Sequence, residues 1–113
     1  MNKECTRYFS DRHEKSVCKA LKATQQPNSG AGKFRKGDCV QSEASLLIEC
    51  KCAMSDKSSI SIKEEWLTKN KEEAFQNRLS NSCVCFNFGP DSKNYYIIDE
   101  PMMKFLVERL SEN

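Results

Sequence analysis

Residues 45–53, SLLIECKCA, show the clearest alternation of apolar and polar positions in the chain, and this period of two predicts a β-strand. One predicted face holds Leu46, Ile48, Cys50 and Cys52 and is wholly apolar. The other face holds Leu47, Glu49 and Lys51, so two charged side chains lie within an otherwise apolar strand. Such breaks in a local pattern tend to mark functional positions.

The rest of the chain predicts three helices and three more strands. The helices cover residues 9–23, 62–79 and about 101–112, and the strands cover 34–41, 82–88 and 94–98. The composition of residues 24–33 and 54–60 is typical of loops. A capping box at Ser61 and Glu64 is predicted to open the second helix, and Asp99 with Pro101 the third.

Each predicted helix carries apolar residues at helical spacing. The stripe of the first helix is Val17 and Leu21 with Cys18 and Ala20. That of the second is Trp66, Leu67, Ala74 and Phe75, and that of the third is Met103, Leu106, Val107 and Leu110. The order α-β-β-α-β-β-α predicts one α/β domain over residues 1–113, a mixed β-sheet flanked by helices.

Composition narrows the function classes. The chain has 113 residues, of which 38% are hydrophobic and 30% charged, and this excludes collagen-like, low-complexity and largely disordered proteins. No run approaches the roughly 18 apolar residues of a membrane span, and the N-terminus lacks the apolar segment of a secretory signal. Residues 1–36 hold nine basic and three acidic side chains, whereas the remainder is net acidic. A basic end of this kind suits contact with phosphates.

The seven cysteines are an odd number without the spacing of a secreted disulfide scaffold, so we expect reduced thiols. Two C-x-C pairs, Cys50 with Cys52 and Cys83 with Cys85, would each line one face of a strand. Together they could make a four-thiolate metal site in a small structural protein. The preferred interpretation is that these cysteines are small buried hydrophobic residues.

Asp38 and Glu49 are the carboxylates with the clearest chemical meaning. If a two-residue turn lies near Glu43 and Ala44, positions that sum to 87 face each other, which makes Asp38 and Glu49 a cross-strand pair. Adjacent carboxylates repel unless a cation lies between them, and Mg²⁺ commonly uses one or two protein carboxylates. Lys51 lies on the same face, where an ammonium can orient a water or neutralise charge on a phosphodiester under attack.

This arrangement of Asp38 followed by Glu49-Cys50-Lys51 resembles the D…(E/D)-x-K motif of the PD-(D/E)XK nuclease superfamily. The preceding helix with Glu14, the loop Ser29-Gly30-Ala31-Gly32 and the closing strand at Tyr95 to Ile98 resemble the archaeal-type Holliday junction resolvases and their phage and bacterial relatives. The likeness covers roughly residues 10–99. It implies a restriction-endonuclease-like fold, with a C-terminal helix at about 101–112 added to the nuclease core.

The resemblance also implies roles for individual residues. Asp38, Glu49 and the backbone carbonyl of Cys50 would bind Mg²⁺, for which Mn²⁺ would substitute, and Glu14 would be a third acidic ligand. Lys51 would be the catalytic lysine, and Ser29 would lie near the scissile phosphate. No nucleotide cofactor is implied. The residues expected to contact DNA are Arg12, Lys15, Ser29, Gly30, Lys33, Arg35 and Lys36, which give affinity without reading bases.

The sequence therefore predicts a Mg²⁺-dependent endodeoxyribonuclease that resolves four-way junctions by paired cuts. Alternatives are a nicking or repair endonuclease of the same superfamily that acts on another DNA structure, and a catalytically inactive nucleic-acid-binding module. Paired cuts predict a homodimer. Its contacts would come from Met103, Leu106, Val107 and Leu110 on the last helix together with Tyr95 and Tyr96 on the closing strand; alternatively, the last helix covers its own sheet. We expect a cytoplasmic protein, in the host cytoplasm if a phage encodes it, with branched DNA as partner and no membrane contact.

Overall fold

The computed structural model describes residues 3–26 and 38–112, with side chains from residue 7 onward. Within this part the chain forms a five-stranded sheet and three helices, so the expected α/β class is confirmed. The elements are α1 (Lys3–Leu21), β1 (Thr24–Gln25), β2 (Asp38–Gln41), β3 (Leu46–Lys51), α2 (Glu64–Gln76), β4 (Asn81–Phe86), β5 (Tyr95–Ile97) and α3 (Glu100–Leu110).

The strands follow the order β1-β2-β3-β4-β5, so neighbours in the sheet are also neighbours in sequence. Only β3 and β4 pair in parallel, and they are the two strands joined through helix α2. The observed order contains one strand more than the sequence predicts. Thr24 pairs with Val40 and Gln25 with Cys39, where the composition indicates only a loop. This short edge strand forms because β2 offers it unpaired backbone groups, which local composition does not reveal.

The hairpin of β2 and β3 has the predicted register. Asp38 pairs with Glu49, Cys39 with Ile48 and Gln41 with Leu46. The connection spans residues 42–45 and is therefore longer than the two-residue turn that suggested the register. It ends at Ser45, whose φ of 51° lies in the left-handed region.

Helices α1 and α2 cover opposite faces of the sheet. Val17 of α1 packs in a buried cluster with Cys39, Ile48, Cys83 and Cys85. The alternate residues of the same strands point the other way, and there the ammonium of Lys51 lies 5.0 Å from the ring centroid of Trp66 in α2. The sheet thus has an α1 face and an α2 face.

Several helix predictions need correction. Helix α1 begins at Lys3 rather than near residue 9, and Ala20 on its expected inner stripe is exposed. Helix α2 begins at Glu64, and its N-cap is Lys63 without a side-chain hydrogen bond, so the capping box at Ser61 is wrong. Phe75, expected in the core, is 82% exposed because it lies on the outer side of the helix.

Helix α3 begins where the sequence predicts. It does not cover its own sheet, which was the alternative to a role in the dimer. The Asp99 carboxylate accepts a hydrogen bond from the Met102 N–H, and Pro101 lies in the first turn. None of its residues is buried; Met102 is half-buried, and the exposed apolar side chains are Met103, Phe105, Leu106, Val107 and Leu110. No helix in the described part of the chain is both long and apolar enough to cross a membrane.

Candidate metal centre

Three carboxylates meet on the α2 face of the sheet. Asp38 comes from the start of β2, Glu49 from β3 and Glu73 from the last turns of α2. Each offers one oxygen, and these oxygens all lie within 4.8 Å of one another. The three residues have relative exposures of 0%, 4% and 5%.

This carboxylate triad has the chemistry of a divalent-cation site. Hard cations such as Mg²⁺ and Ca²⁺ bind oxygen at roughly 2.1–2.5 Å, so oxygens on opposite sides of one ion lie about 4–5 Å apart. The oxygen spacing of the triad matches that span. Among the described residues, this is the one group of three or more candidate ligand side chains that meets the spacing of a metal site. The donor set therefore fits a hard divalent cation.

Lys51 extends the site beyond the triad. Its Nζ lies 3.6 Å from Glu49 Oε2, and its side chain is 37% exposed to solvent. The same ammonium lies 5.0 Å from the ring centroid of Trp66. Contact with both the carboxylate and the aromatic ring restrains the ammonium, so Lys51 offers a partly accessible positive charge beside the triad.

Asn70 is a polar residue on the same buried side of α2, one turn before Glu73. It is 2% exposed, and its Nδ2 has no hydrogen-bond partner among the residues described. A buried amide donor without a partner in the chain is uncommon and calls for an explanation. An oxygen acceptor from bound water or substrate would satisfy it.

Glu14, the third acidic residue that the resemblance implies, has a different setting. Its Oε1 accepts a hydrogen bond of 3.1 Å from Gln25 Nε2, and the same amide donates to Asp11. Glu14 is 5% exposed but is not one of the three clustered carboxylates. The structure thus brings Asp38, Glu49 and Lys51 together as expected, and it adds Glu73 from α2.

The sequence does not mark Glu73 as a metal-site residue, because charged residues on a helix are usually solvated. Helical spacing offers one clue: Glu73 follows Trp66 by seven positions and precedes Ala74, so it falls on the predicted inner stripe. Asn70 lies on this stripe as well. Two polar residues inside an apolar stripe are the helical counterpart of the broken strand pattern at Glu49 and Lys51.

The residues expected to contact DNA are only partly covered by the structure. On α1, Arg12 forms an ion pair of 3.0 Å with Asp91, and Lys15 one of 2.9 Å with Asp11. Both basic side chains are exposed, and α1 lies on the face opposite the carboxylate triad. Ser29, Gly30, Lys33, Arg35 and Lys36 lie outside the described residues.

The cysteines belong to the α1 face. Cys39, Cys83 and Cys85 are buried, and burial raises the pKa of Cys83 and of Cys85 to about 12. The six cysteines with described side chains are free thiols. They contact one another pairwise, as in the 2.8 Å contact between Cys18 Sγ and Cys39 Sγ. Within the described chain they do not converge as a metal-ligand set, which favours their interpretation as small buried residues.

No protein-family model, curated protein or solved structure matches this chain.

Proposed function

We propose that this protein is a metal-dependent endodeoxyribonuclease with a restriction-endonuclease-like fold, which hydrolyses phosphodiesters in branched DNA and uses Mg²⁺. Four-way junctions are the substrate that the sequence resemblance implies. Other branched or nicked DNA structures form the alternative within the same chemistry.

One observation carries this proposal: the buried Asp38, Glu49 and Glu73 oxygens lie within 4.8 Å of one another, with Lys51 Nζ 3.6 Å from Glu49. Burial of three carboxylates is costly for a domain of this size unless a cation offsets their charge. A cation site beside a fixed ammonium suits attack on a phosphodiester, whose transition state carries additional negative charge.

The side chains divide the work. The Asp38, Glu49 and Glu73 carboxylates would hold the cation, and Lys51 would hold a phosphate oxygen or orient the attacking water. Asn70 Nδ2 would donate a hydrogen bond to a water or phosphate oxygen at the buried side of the site. A bound divalent cation supplies Lewis acidity and lowers the pKa of a coordinated water.

Phosphate binding is assigned to the basic segment that leads into Asp38. Lys33, Arg35 and Lys36 precede this residue in the sequence, so they would meet the DNA backbone beside the cleavage site. Replacing all three by Ala should lower the slope of log affinity against log salt by roughly 0.9 for each lost contact with duplex phosphate. An unchanged slope would move the DNA surface elsewhere.

The exposed apolar side of α3 supports a homodimer. Phe105, Leu106, Val107 and Leu110 are 41–75% exposed, although apolar residues of this size are normally covered. Two matched cuts in one junction require two active sites, and twofold assembly supplies them. Analytical ultracentrifugation at micromolar concentration tests this. A mass near 13.0 kDa for the free protein, and a contribution of only one chain to the mass of the DNA complex, would refute the dimer. The six cysteines with described side chains are free thiols, which suits a reducing compartment such as the cytoplasm.

Cleavage of labelled DNA tests the function directly. A four-way junction, a splayed duplex and a matched linear duplex are incubated with the protein in Mg²⁺ or in EDTA. Mg²⁺-dependent cuts at the branch are expected, and absence of cuts in any substrate with Mg²⁺ or Mn²⁺ would contradict the proposal.

Neighbouring residues on α2 provide a matched pair of variants for the same assay. Glu73 is buried in the triad, whereas Glu72 is exposed one position away. Glu73→Gln should abolish cleavage, and Glu72→Gln should cut at the normal rate. Equal effects of the two substitutions would mean that Glu73 does not belong to the catalytic site.

A further inference from the structure

A second feature lies immediately beyond Lys51 at the end of β3, where side chains of the α2 face meet Ser10 of α1 and the α1-face residues Cys50 and Cys52. A cavity of about 590 Å³ opens there, within the range of small-ligand pockets, and its walls include the rings of Trp66 and Phe86. Lys51 and Lys57 contribute positive charge, and hydroxyls come from Ser10, Ser59 and Ser61. None of the described lining residues is acidic, so the cavity combines aromatic surface with a net positive lining.

Strand register places this cavity next to the carboxylate triad, with Lys51 between them. Glu49 pairs with Val84, while Lys51 pairs with Phe86, and Phe86 in turn pairs with Tyr95 of β5. Paired residues point to the same side of a sheet. A row therefore runs from the triad through Lys51 to Phe86 and then to Tyr95, whose ring stacks on Phe86 at a centroid distance of 5.8 Å.

The rim of the cavity is built by specific contacts. The Ala53 N–H donates to Asn87 Oδ1 at 2.8 Å, and the Lys57 N–H donates to the Phe88 carbonyl at 2.7 Å. Gly89 packs so closely on Asp56 that an added Cβ would lie 2.3 Å from Asp56 Oδ1. The segment that carries Lys57 is thereby fastened to the end of β4.

We propose that this cavity binds an unpaired nucleotide, with the base against Trp66 and Phe86 and the phosphate near Lys57. Aromatic platforms beside lysines are the usual means of binding single-stranded nucleic acid without sequence preference, because every base has a stacking face. A base within a duplex is already stacked and paired, so it cannot enter. This inference rests on the proposed nuclease function and deepens it: the preferred substrate carries a single-stranded segment next to the scissile phosphate.

Trp66 is the only tryptophan in the chain, so its fluorescence reports on this cavity. The protein is titrated in EDTA, where no metal-dependent cleavage occurs, with an oligothymidylate, an abasic oligonucleotide of equal length and a blunt duplex. Saturable quenching by the oligothymidylate alone is expected. No quenching by the oligothymidylate, or equal quenching by the abasic strand or the duplex, would overturn the proposal.

Two variants keep Trp66 as the reporter. Phe86→Leu should weaken oligothymidylate binding roughly 5- to 150-fold, the effect of losing one stacked base. Lys57→Ala should lower the salt slope by about 0.7, as expected for one lost contact to a single strand. Lys104→Ala, at an exposed position on α3 away from the cavity, is the matched control and should bind normally. Thermal midpoints show that each variant is folded, and normal binding by Phe86→Leu and Lys57→Ala would refute the assignment.

A cleavage assay distinguishes failure of this inference from failure of the proposed nuclease function. With Mg²⁺, a splayed or flapped duplex should be cut faster than a fully paired four-way junction. Quenching without any cleavage would retain the nucleotide site and remove the nuclease function. Cleavage without quenching would retain the nuclease and remove the nucleotide site.

Discussion

The two faces of the sheet differ in chemistry although the same strands build both. Toward α1, β2 and β3 present Cys39 and Ile48, which are fully buried beneath Val17. Toward α2, the neighbouring residues Asp38 and Glu49 are just as deeply buried but carry carboxylates. Both faces remove apolar surface from water, since Leu47 and Val84 are fully buried on the α2 side. The α2 face also buries the carboxylate triad, which is costly.

This difference shows how the costly face is held in place. Side chains alternate along a strand, so a slip of one residue would turn Cys39 and Ile48 out of the α1 face and bring the Asp38 and Glu49 carboxylates into it. The apolar pairing of Cys39 with Ile48 therefore fixes the register in which Asp38 meets Glu49. The α1 face thus helps to set the alignment, while the α2 face carries the candidate metal site.

The largest expected effect is that of Asp38→Asn, which changes the α2 face alone. Removal of one ligand carboxylate should lower the cleavage rate by about a thousandfold or more, because the site loses several kcal/mol of transition-state stabilisation. Binding to the same branched DNA in EDTA should change little, since basic residues make the phosphate contacts. Glu43→Gln, at an exposed position in the hairpin loop, is the control. Parallel loss of binding and cleavage would assign Asp38 a structural role.

Ile48→Ala makes the matching change on the α1 face. It leaves a cavity in the apolar cluster and should cost about 2–5 kcal/mol of folding free energy. Urea unfolding measures this loss, and the rate of cleavage well below the unfolding transition should stay near normal. A large loss of cleavage in folded Ile48→Ala protein would show that the two faces are not separable.

Metal binding should stabilise the α2 face specifically. A divalent cation at about 100 times its Kd adds about 2.7 kcal/mol to the free energy of unfolding, which raises the Tm by roughly 10 °C. The Tm rise with Mg²⁺ or Mn²⁺ should disappear in Glu73→Gln and persist in Glu14→Gln, since Glu14 is not in the clustered triad. An equal loss in both variants would extend the metal site to α1.

The smallest expected effect concerns His13 on the α1 face, which is buried to 5% exposure. Burial lowers the pKa of His13 below its ordinary 6.5, although the hydrogen bond of 2.9 Å between Nε2 and Asn94 Oδ1 opposes this. The unfolded chain therefore takes up the proton more readily than the folded protein. The stability contribution is complete above pH 6.5 and declines as the pH falls below it.

The measurement is the difference in unfolding free energy between pH 7.5 and pH 5.5. This difference should be smaller in His13→Gln than in the unsubstituted protein, because the substitution removes the group that the unfolded chain protonates more readily. Identical pH dependence of the two proteins would mean that His13 is protonated equally in the folded and unfolded states.

The sequence alone was sufficient wherever the determining interactions are local. Alternation along residues 45–53 identified β3 and assigned its faces, and the pairing rule of the hairpin placed Asp38 opposite Glu49. The cap at Asp99 and the proline after it correctly predicted the start of α3. In each case the information lies within a few residues, because backbone geometry and nearby hydrogen bonds decide the result.

Only the tertiary structure decided which distant segments meet. Two residues form β1 because β2 has an edge to pair with, and Phe75 is exposed because it points away from the sheet and none of the described elements buries it. Glu73 joins the two strand carboxylates because α2 crosses the sheet above them. Helical spacing restricted Glu73 to one side of its helix, but it could not specify what that side would face. That depends on how the connections after β3 and before β4 place the helix, and this placement is a property of the packed fold as a whole.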